Sequence, residues 1–212
     1  MKTIIFSLML AVISQFGFSQ NSTYYSSLCD LLPGYSNCKT ADDFRNLGDK
    51  FAGIASSDTT GWLADYYYAH CYIVSSFLEP SVTKDKVLDK IEKPVSRITH
   101  LVPDEAEVWA LLGMYYTARL LVNPEERGYT FIGLSNMALE KAQSLDPQNP
   151  RVKLLMLKNE MGTTQYFGGP VQQFCKKAQA LLSEWDNYVI KSPVHPKWGK
   201  TQVAKIVSEC NL

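Results

Sequence analysis

An all-α fold built from helix-turn-helix repeats is predicted by three observations. Apolar residues recur at three- and four-residue spacing rather than by alternation, each such run stops at a glycine, proline or short polar cluster, and the stretch around Pro103 recurs 44 residues later around Pro147. The expected architecture is an α-solenoid of about eight helices in a right-handed stack, with long insertions between some of them.

The elements follow in order. Residues 1–20 carry an early lysine, an apolar run from Ile4 to Ile13, and Gly17 and Ser19 near their end. This is the layout of a secretory signal peptide, too short to span a bilayer, so an exported product, periplasmic or secreted, is expected. Cys29, the first cysteine, lies well past the expected cut after Ser19 or Gln20, which argues against a lipid anchor, and no membrane insertion is expected after cleavage. Residues 21–40 read as a leader, with Cys29 and Cys38 flanking the turn-rich "DLLPGYSN" as a candidate disulfide. A single helical domain then covers 41–212. Its helices are expected near 41–56, 61–78, 84–101, 105–121, 134–145, 150–162, 170–187 and 197–210, the last as a cap. "SSDTTG", Pro80, "VPD", "NPEERG", "DPQNP", "GGP" and "SPVHP" separate them, and Pro94 is expected to kink or restart the third. Cys175 and Cys210 fall in the last two helices and form a second candidate disulfide, while Cys71 lies on an apolar helix and reads as a buried thiol.

Trp109, Leu112, Gly113 and Tyr116 reproduce the W-x2-L-G-x2-Y opening of a tetratricopeptide repeat. Trp109 and Tyr116 stand two helical turns apart and share a face, and Gly113 admits a close partner helix. Ser135, Leu139, Ala142 and Pro147 then fit the second helix and the close of the unit, provided about ten extra residues separate the two helices. Weaker copies begin at Trp62 and after Pro150.

With "RGYTF" (127–131), "TTQYFGGP" (163–170) and "SPVHPKWGK" (192–200), this core resembles the signal-peptide-bearing tetratricopeptide-like proteins of Gram-negative envelopes, from about Thr60 to the C-terminus. The resemblance implies a fold and a compartment rather than a reaction. Carried over position by position, the groove of that family falls on Thr60, Leu63, Tyr67 and His70, on Glu107, Ala110, Met114 and Thr117, and on Arg151, Leu154, Lys158 and Met161.

Composition narrows the function. Lys plus Arg balance Asp plus Glu at 21 each, which argues against nucleic acid or an anionic membrane as ligand. Three histidines, no H-E-x-x-H, no G-x-S-x-G, no phosphate-binding glycine loop and no C-x-x-C leave no motif for catalysis or a metal, so neither an enzyme nor a resident cofactor is expected. Asp104, Glu105 and Glu107 suit a helix start, and the 84–93 charge run suits a solvated face. "DYYYAHCY" sets Tyr66, Tyr67, Tyr68 and Tyr72 around one helix, so some must meet a second surface.

Two binding surfaces emerge. One is the groove above, suited to a protein or peptide partner and making the chain a non-catalytic adaptor. The other is an edge where inter-helix loops would gather Arg127, Tyr129, Tyr166, Phe167 and Trp198, either as a satellite core or as a site for a glycan or an anionic small molecule held by the Arg127 fork. A hydrolytic enzyme is the remote third alternative.

Overall fold

The computed structural model describes residues 22–210, and every regular element among them is helical. The signal peptide read at 1–20 lies outside the described residues. Helix α1 covers 22–31 and runs into a 3-10 turn at Leu32–Asn37. The chain continues through α2 (Ala41–Ser57), α3 (Leu63–Phe77), α4 (Ser81–Asp89), α5 (Glu92–Leu101) and α6 (Ala106–Leu120). It ends with α7 (Pro124–Leu145), α8 (Pro150–Tyr166), α9 (Cys175–Glu184) and α10 (Lys200–Glu209). No described helix is long and apolar enough to cross a membrane.

Local chemistry sets the boundaries. Thr40 and Asp43 form a reciprocal capping box at the start of α2, the Thr40 hydroxyl accepting from the Asp43 amide and the Asp43 carboxylate from the Thr40 amide. Residues 84–101 form two helices, not one, with the break at Lys90–Ile91. Pro94 is the third residue of α5 and has no N–H for the Lys90 carbonyl, which accepts from the Tyr68 hydroxyl instead at 3.4 Å. The segment "NPEERG", expected as an insertion, is the opening of α7. Asn123 caps it by accepting from the Glu126 amide, Pro124 occupies the first turn, and Glu125 and Glu126 complement the helix dipole. The extra residues are therefore additional turns of helix, with Gly128 and Gly133 facing open space.

Residues 22–40 belong to the helical body. Tyr24 and Leu28 are buried, and the Tyr24 hydroxyl accepts from the Ala64 amide at 2.8 Å. The candidate Cys29–Cys38 disulfide is not formed, because Cys29 projects to solvent from α1 while the Cys38 thiol donates back to the Gly34 carbonyl within its own turn. Cys71 is a buried free thiol. Cys175 and Cys210 are bonded, with Cα atoms 5.7 Å apart, and tie α9 to α10.

The helices form two rows. α3, α6 and α8 pack in succession; α4 and α5 back α3, α7 backs α6, and α9 backs α8. α2 closes one end against α3, and α10 closes the other against α9. α3 is covered on every side, with Tyr66, Tyr67 and Tyr72 all buried, which is why its sequence is apolar around most of its circumference. The main core runs from α1 to α8, and a second, built on Leu154, Leu157, Ala178, Leu181, Trp185 and Val203, joins α8 to the C-terminal helices.

Helices α6 and α7 approach closely at Gly113, where an added Cβ would sit 2.7 Å from Leu139 Cγ and 3.3 Å from the Ser135 carbonyl. The Ser135 hydroxyl donates to the Gly113 carbonyl at 2.9 Å, and the Trp109 indole donates to the Pro103 carbonyl at 2.7 Å. Leu139 and Ala142 are buried behind them, Leu112 and Tyr116 are half-buried, and Pro147 sits exposed in the turn after α7. Gly113→Ala gains about 1 kcal/mol of helix propensity, but overpacking this contact costs about 1–3 kcal/mol. A lower urea midpoint at unchanged m is expected; an equal or higher midpoint would show that Leu139 gives way freely.

Candidate ligand-binding site

The groove positions do not form an open surface. Tyr67, His70, Glu107, Met114 and Arg151 are buried, Thr117 is half-buried, and Lys158 is exposed. What covers Tyr67, His70 and Arg151 is the chain itself, in the segment 188–199 between α9 and α10. The Tyr67 hydroxyl donates to the Val194 carbonyl at 2.7 Å, the Trp198 indole donates to the Tyr66 hydroxyl at 2.9 Å, and the Trp198 ring stacks on His70 with centroids 4.9 Å apart. His195 packs edge-on against Trp62, and Lys191 pairs with Glu105 at 2.8 Å. Thr117 lies in a network with Ser135 and Asn159 that joins α6, α7 and α8, and the Lys158 ammonium donates to Gln202 of α10 at 3.0 Å. Gly199 has φ +111° where the segment enters α10, and a Cβ there would lie 2.6 Å from the Trp185 ring.

The edge cluster is not assembled either. Because "RGYTF" is helical, Arg127 and Tyr129 leave α7 on different sides. Arg127 forks onto both Asp85 oxygens at 2.8 and 2.7 Å, while Tyr129 is 95% exposed. Tyr166 ends α8 and touches Phe167, centroids 5.3 Å apart, both outside the core at 59% and 80% exposure. Trp198 is in the groove with His70, away from them.

A cleft opens on the other side of α6, between α5 and α7. It measures about 830 Å³ and is lined from α4, α5, α6 and α7. α6 forms its floor through Leu112, Tyr115, Tyr116 and Arg119; Val95, Thr99 and His100 stand on one wall and Phe131 on the other. The added turns of α7 supply Phe131, whose ring centroid lies 6.1 Å from that of Tyr116.

One end of the cleft is charged and closed by ion pairs. Arg119 donates to Tyr115 at 2.9 Å, to Asp85 at 2.8 Å and to Asp89 at 2.6 Å, and Asp85 also takes the Arg127 fork. Arg127 first, and Arg119 after it, hold the Asp85 carboxyl below the usual carboxylate range. Burial raises the Tyr115 phenol, which stays protonated at neutral pH. At the other end, His100 Nδ1 lies 2.7 Å from the Ser96 carbonyl. A carbonyl only accepts, so Nδ1 is the donor of this bond. Among the described residues no group of three or more His, Cys, Asp or Glu side chains is placed to hold a metal ion.

Sequence reasoning missed this cleft. Asp85 and Asp89 sat in a charge run read as solvated, Arg119 drew no attention, and Phe131 entered only as the end of the "RGYTF" motif. The available signal was the four-residue spacing shared by Asp85 and Asp89 and by Tyr115 and Arg119, which puts each pair on one helix face.

No family model matches the chain, and no curated protein matches it. Among solved structures it is similar to the HusA haemophore from Porphyromonas gingivalis, at 27% sequence identity and a TM-score of 0.76, over 88% of this chain and 92% of that one. The likeness is thus to a helical protein of a Gram-negative bacterium over nearly the full length of both chains.

The covered groove carries its own pH dependence. His70 Nδ1 lies 3.2 Å from the Tyr35 hydroxyl, and Nε2 is buried without a partner. Burial pushes this imidazole from 6.5 down to about 3. Between those values the unfolded chain binds a proton that the folded one excludes. Its contribution to stability is therefore intact above the unfolded value and is lost as pH falls toward the folded one. Urea midpoints measured from about pH 7 to about pH 4.5 should fall more steeply for the wild type than for His70→Phe; parallel curves would show that His70 takes up its proton in place.

Proposed function

We propose that the protein is an exported, non-catalytic carrier that binds a haem-class macrocycle in the cleft between α5 and α7. The observation that carries this reading is the likeness to a haemophore over 88% of this chain. In the same reading, α3 with α4–α5, α6 with α7, and α8 with α9 are degenerate tetratricopeptide-like units, and the signal peptide at 1–20 directs export. The adaptor reading is weaker, because the groove it needs holds residues 188–199 of the chain itself.

The cleft suits a flat apolar ligand. Its volume of about 830 Å³ lies within the range of pockets that enclose small organic molecules. Tyr116 and Phe131 offer ring faces, and Val95 and Leu112 offer aliphatic contact. Asp85, Asp89 and Glu92 crowd the end nearest α4, and the two arginines there are already paired. Ligand carboxylates are therefore turned away from that end, toward water.

A second placement draws support from the exposed rings. Asn159 of α8 donates to Asn136 of α7 at 3.1 Å. Tyr129 and Tyr166 each lie seven residues from that contact, two turns along their antiparallel helices and on the same faces. With Phe167 they could hold a ring at the α7–α8 edge.

Titration of the full mature chain with haemin, followed in the Soret band, separates these readings. A saturable shift is expected, weakened at least about tenfold in Tyr116→Ala/Phe131→Ala by the loss of two ring contacts, with Tyr129→Ala/Tyr166→Ala/Phe167→Ala binding as the wild type does. The reverse pattern would move the site to the edge, and no saturable shift would reject haem binding.

A further inference from the structure

We infer that the Cys175–Cys210 disulfide is a redox latch: while closed it holds residues 191–199 in the groove over α3, and its reduction lets this strap and α10 swing out and bare the groove. The two ends of the strap are held very differently. At its start the Tyr188 ring lies over Arg151 and the Tyr188 hydroxyl donates to Asp146, whereas Val189 and Ile190, the next two residues, are 83% and 39% exposed. A hinge at these two lets the rest of the strap leave without uncovering Arg151. At the far end stands α10, ten residues long, with no side-chain cap at its start and Val203 as its one buried side chain. A helix so short is marginal without packing, and this one packs chiefly on α9. The disulfide fastens its far end to the first residue of α9 across a separation of 35 residues. A cross-link over so long a loop removes much of the freedom that an open form would gain.

The groove itself grips the strap at isolated points. Tyr67 donates to the Val194 carbonyl, the Trp198 indole donates to Tyr66, and the Trp198 ring stacks on His70. Beneath this cover His70 Nε2 is buried without a hydrogen-bond partner. A buried polar atom left in that state disfavours the closed form, and it gains water as soon as the strap lifts. The closed groove therefore carries a cost of its own, which the latch offsets.

The opening step is thiol–disulfide exchange with an external dithiol. Cys175 and Cys210 are both only half-buried, so the bond can be reached from solvent. A thiolate of the reductant attacks one sulfur, and the other leaves as a thiolate and takes up a proton. The second thiol of the reductant then resolves the mixed disulfide. Cys175 and Cys210 end as thiols and the reductant as a disulfide, two electrons having passed between them. The latch operates on the groove side of α6, apart from the cleft between α5 and α7.

The test uses the full mature chain with its disulfide formed, the same chain reduced with dithiothreitol, and Cys175→Ser/Cys210→Ser as a permanently open form. Amide exchange read by mass spectrometry should be at least about tenfold faster over residues 191–209 in both open forms, with α2 to α8 keeping the rates of the oxidised chain. Diethyl pyrocarbonate should modify His70 at least about tenfold faster once the bond is open, and reoxidation should restore the slow rates. Unchanged exchange over 191–209 would overturn the latch. So would faster exchange with His70 still shielded, because α10 would then fray while the strap stayed seated. Equal acceleration throughout α2 to α8 would overturn it as well, making the disulfide a brace of the whole fold. Reduction of the wild type decides the matter by itself if the double variant does not fold.

Discussion

Glu107 and Arg151 form an ion pair almost entirely removed from water, at 1% and 2% exposure. Glu107 accepts from Arg151 Nε at 2.8 Å, from Nη2 at 2.5 Å and from the Asn149 amide at 2.5 Å, and the Tyr66 hydroxyl approaches its second oxygen at 3.4 Å. The Tyr188 ring covers the guanidinium, and the Tyr188 hydroxyl is anchored on Asp146. Two charges held in so dry a place are tolerable only when paired and hydrogen-bonded, and removing one partner of such a pair costs about 3–5 kcal/mol. Groups from α3, α6, α8 and the stretch after α9 all converge on it. The segment 188–199 is therefore part of the condition under which the inner helices pack.

That constraint turns attention to the outer face of α6. With α3 and α8 packed on its inner side, α6 presents Leu112, Tyr115, Tyr116 and Arg119 outward between α5 and α7. Asp85 receives Arg119 and Arg127 together, so α4 is linked to α6 and to α7 by the same carboxylate. The link braces one end of the cleft at a set width and leaves the other open. A site braced in this way loses little order on taking up a ligand, which favours binding without rearrangement.

Much of the architecture was legible locally. The capping box at Thr40, the glycine at 113 opposite Leu139, and the Cys175–Cys210 pairing in adjacent terminal helices all follow from short-range chemistry or simple spacing. The opening of α7 was legible too, since Asn-Pro-Glu-Glu is a helix start, but "NPEERG" was read as a separator between helices. Gly128 and Gly133 cost helix propensity without preventing the helix, because the remainder of α7 is held against α6 and α8. The same error displaced Arg127 and Tyr129 from a loop edge to opposite sides of a helix.

The closed groove was beyond local reading. Tyr67 and Val194 are 127 residues apart, and Trp198 and Tyr66 are 132 apart, so nothing near α3 in the chain announces what covers it. Of the positions carried over from the tetratricopeptide-like family, Tyr67, His70, Glu107, Met114 and Arg151 are internal, whereas Lys158 is exposed.

The central claim is that the cleft over α6 takes up a haem-class ligand, and amide-resolved NMR of the labelled chain with and without haemin tests it most directly. Paramagnetic broadening centred on residues 95–100, 112–119 and 127–131, with Tyr67, Val194 and Trp198 unperturbed in the groove, is the predicted result. Broadening centred on residues 188–199, or on Tyr129, Tyr166 and Phe167 without the cleft, would contradict it.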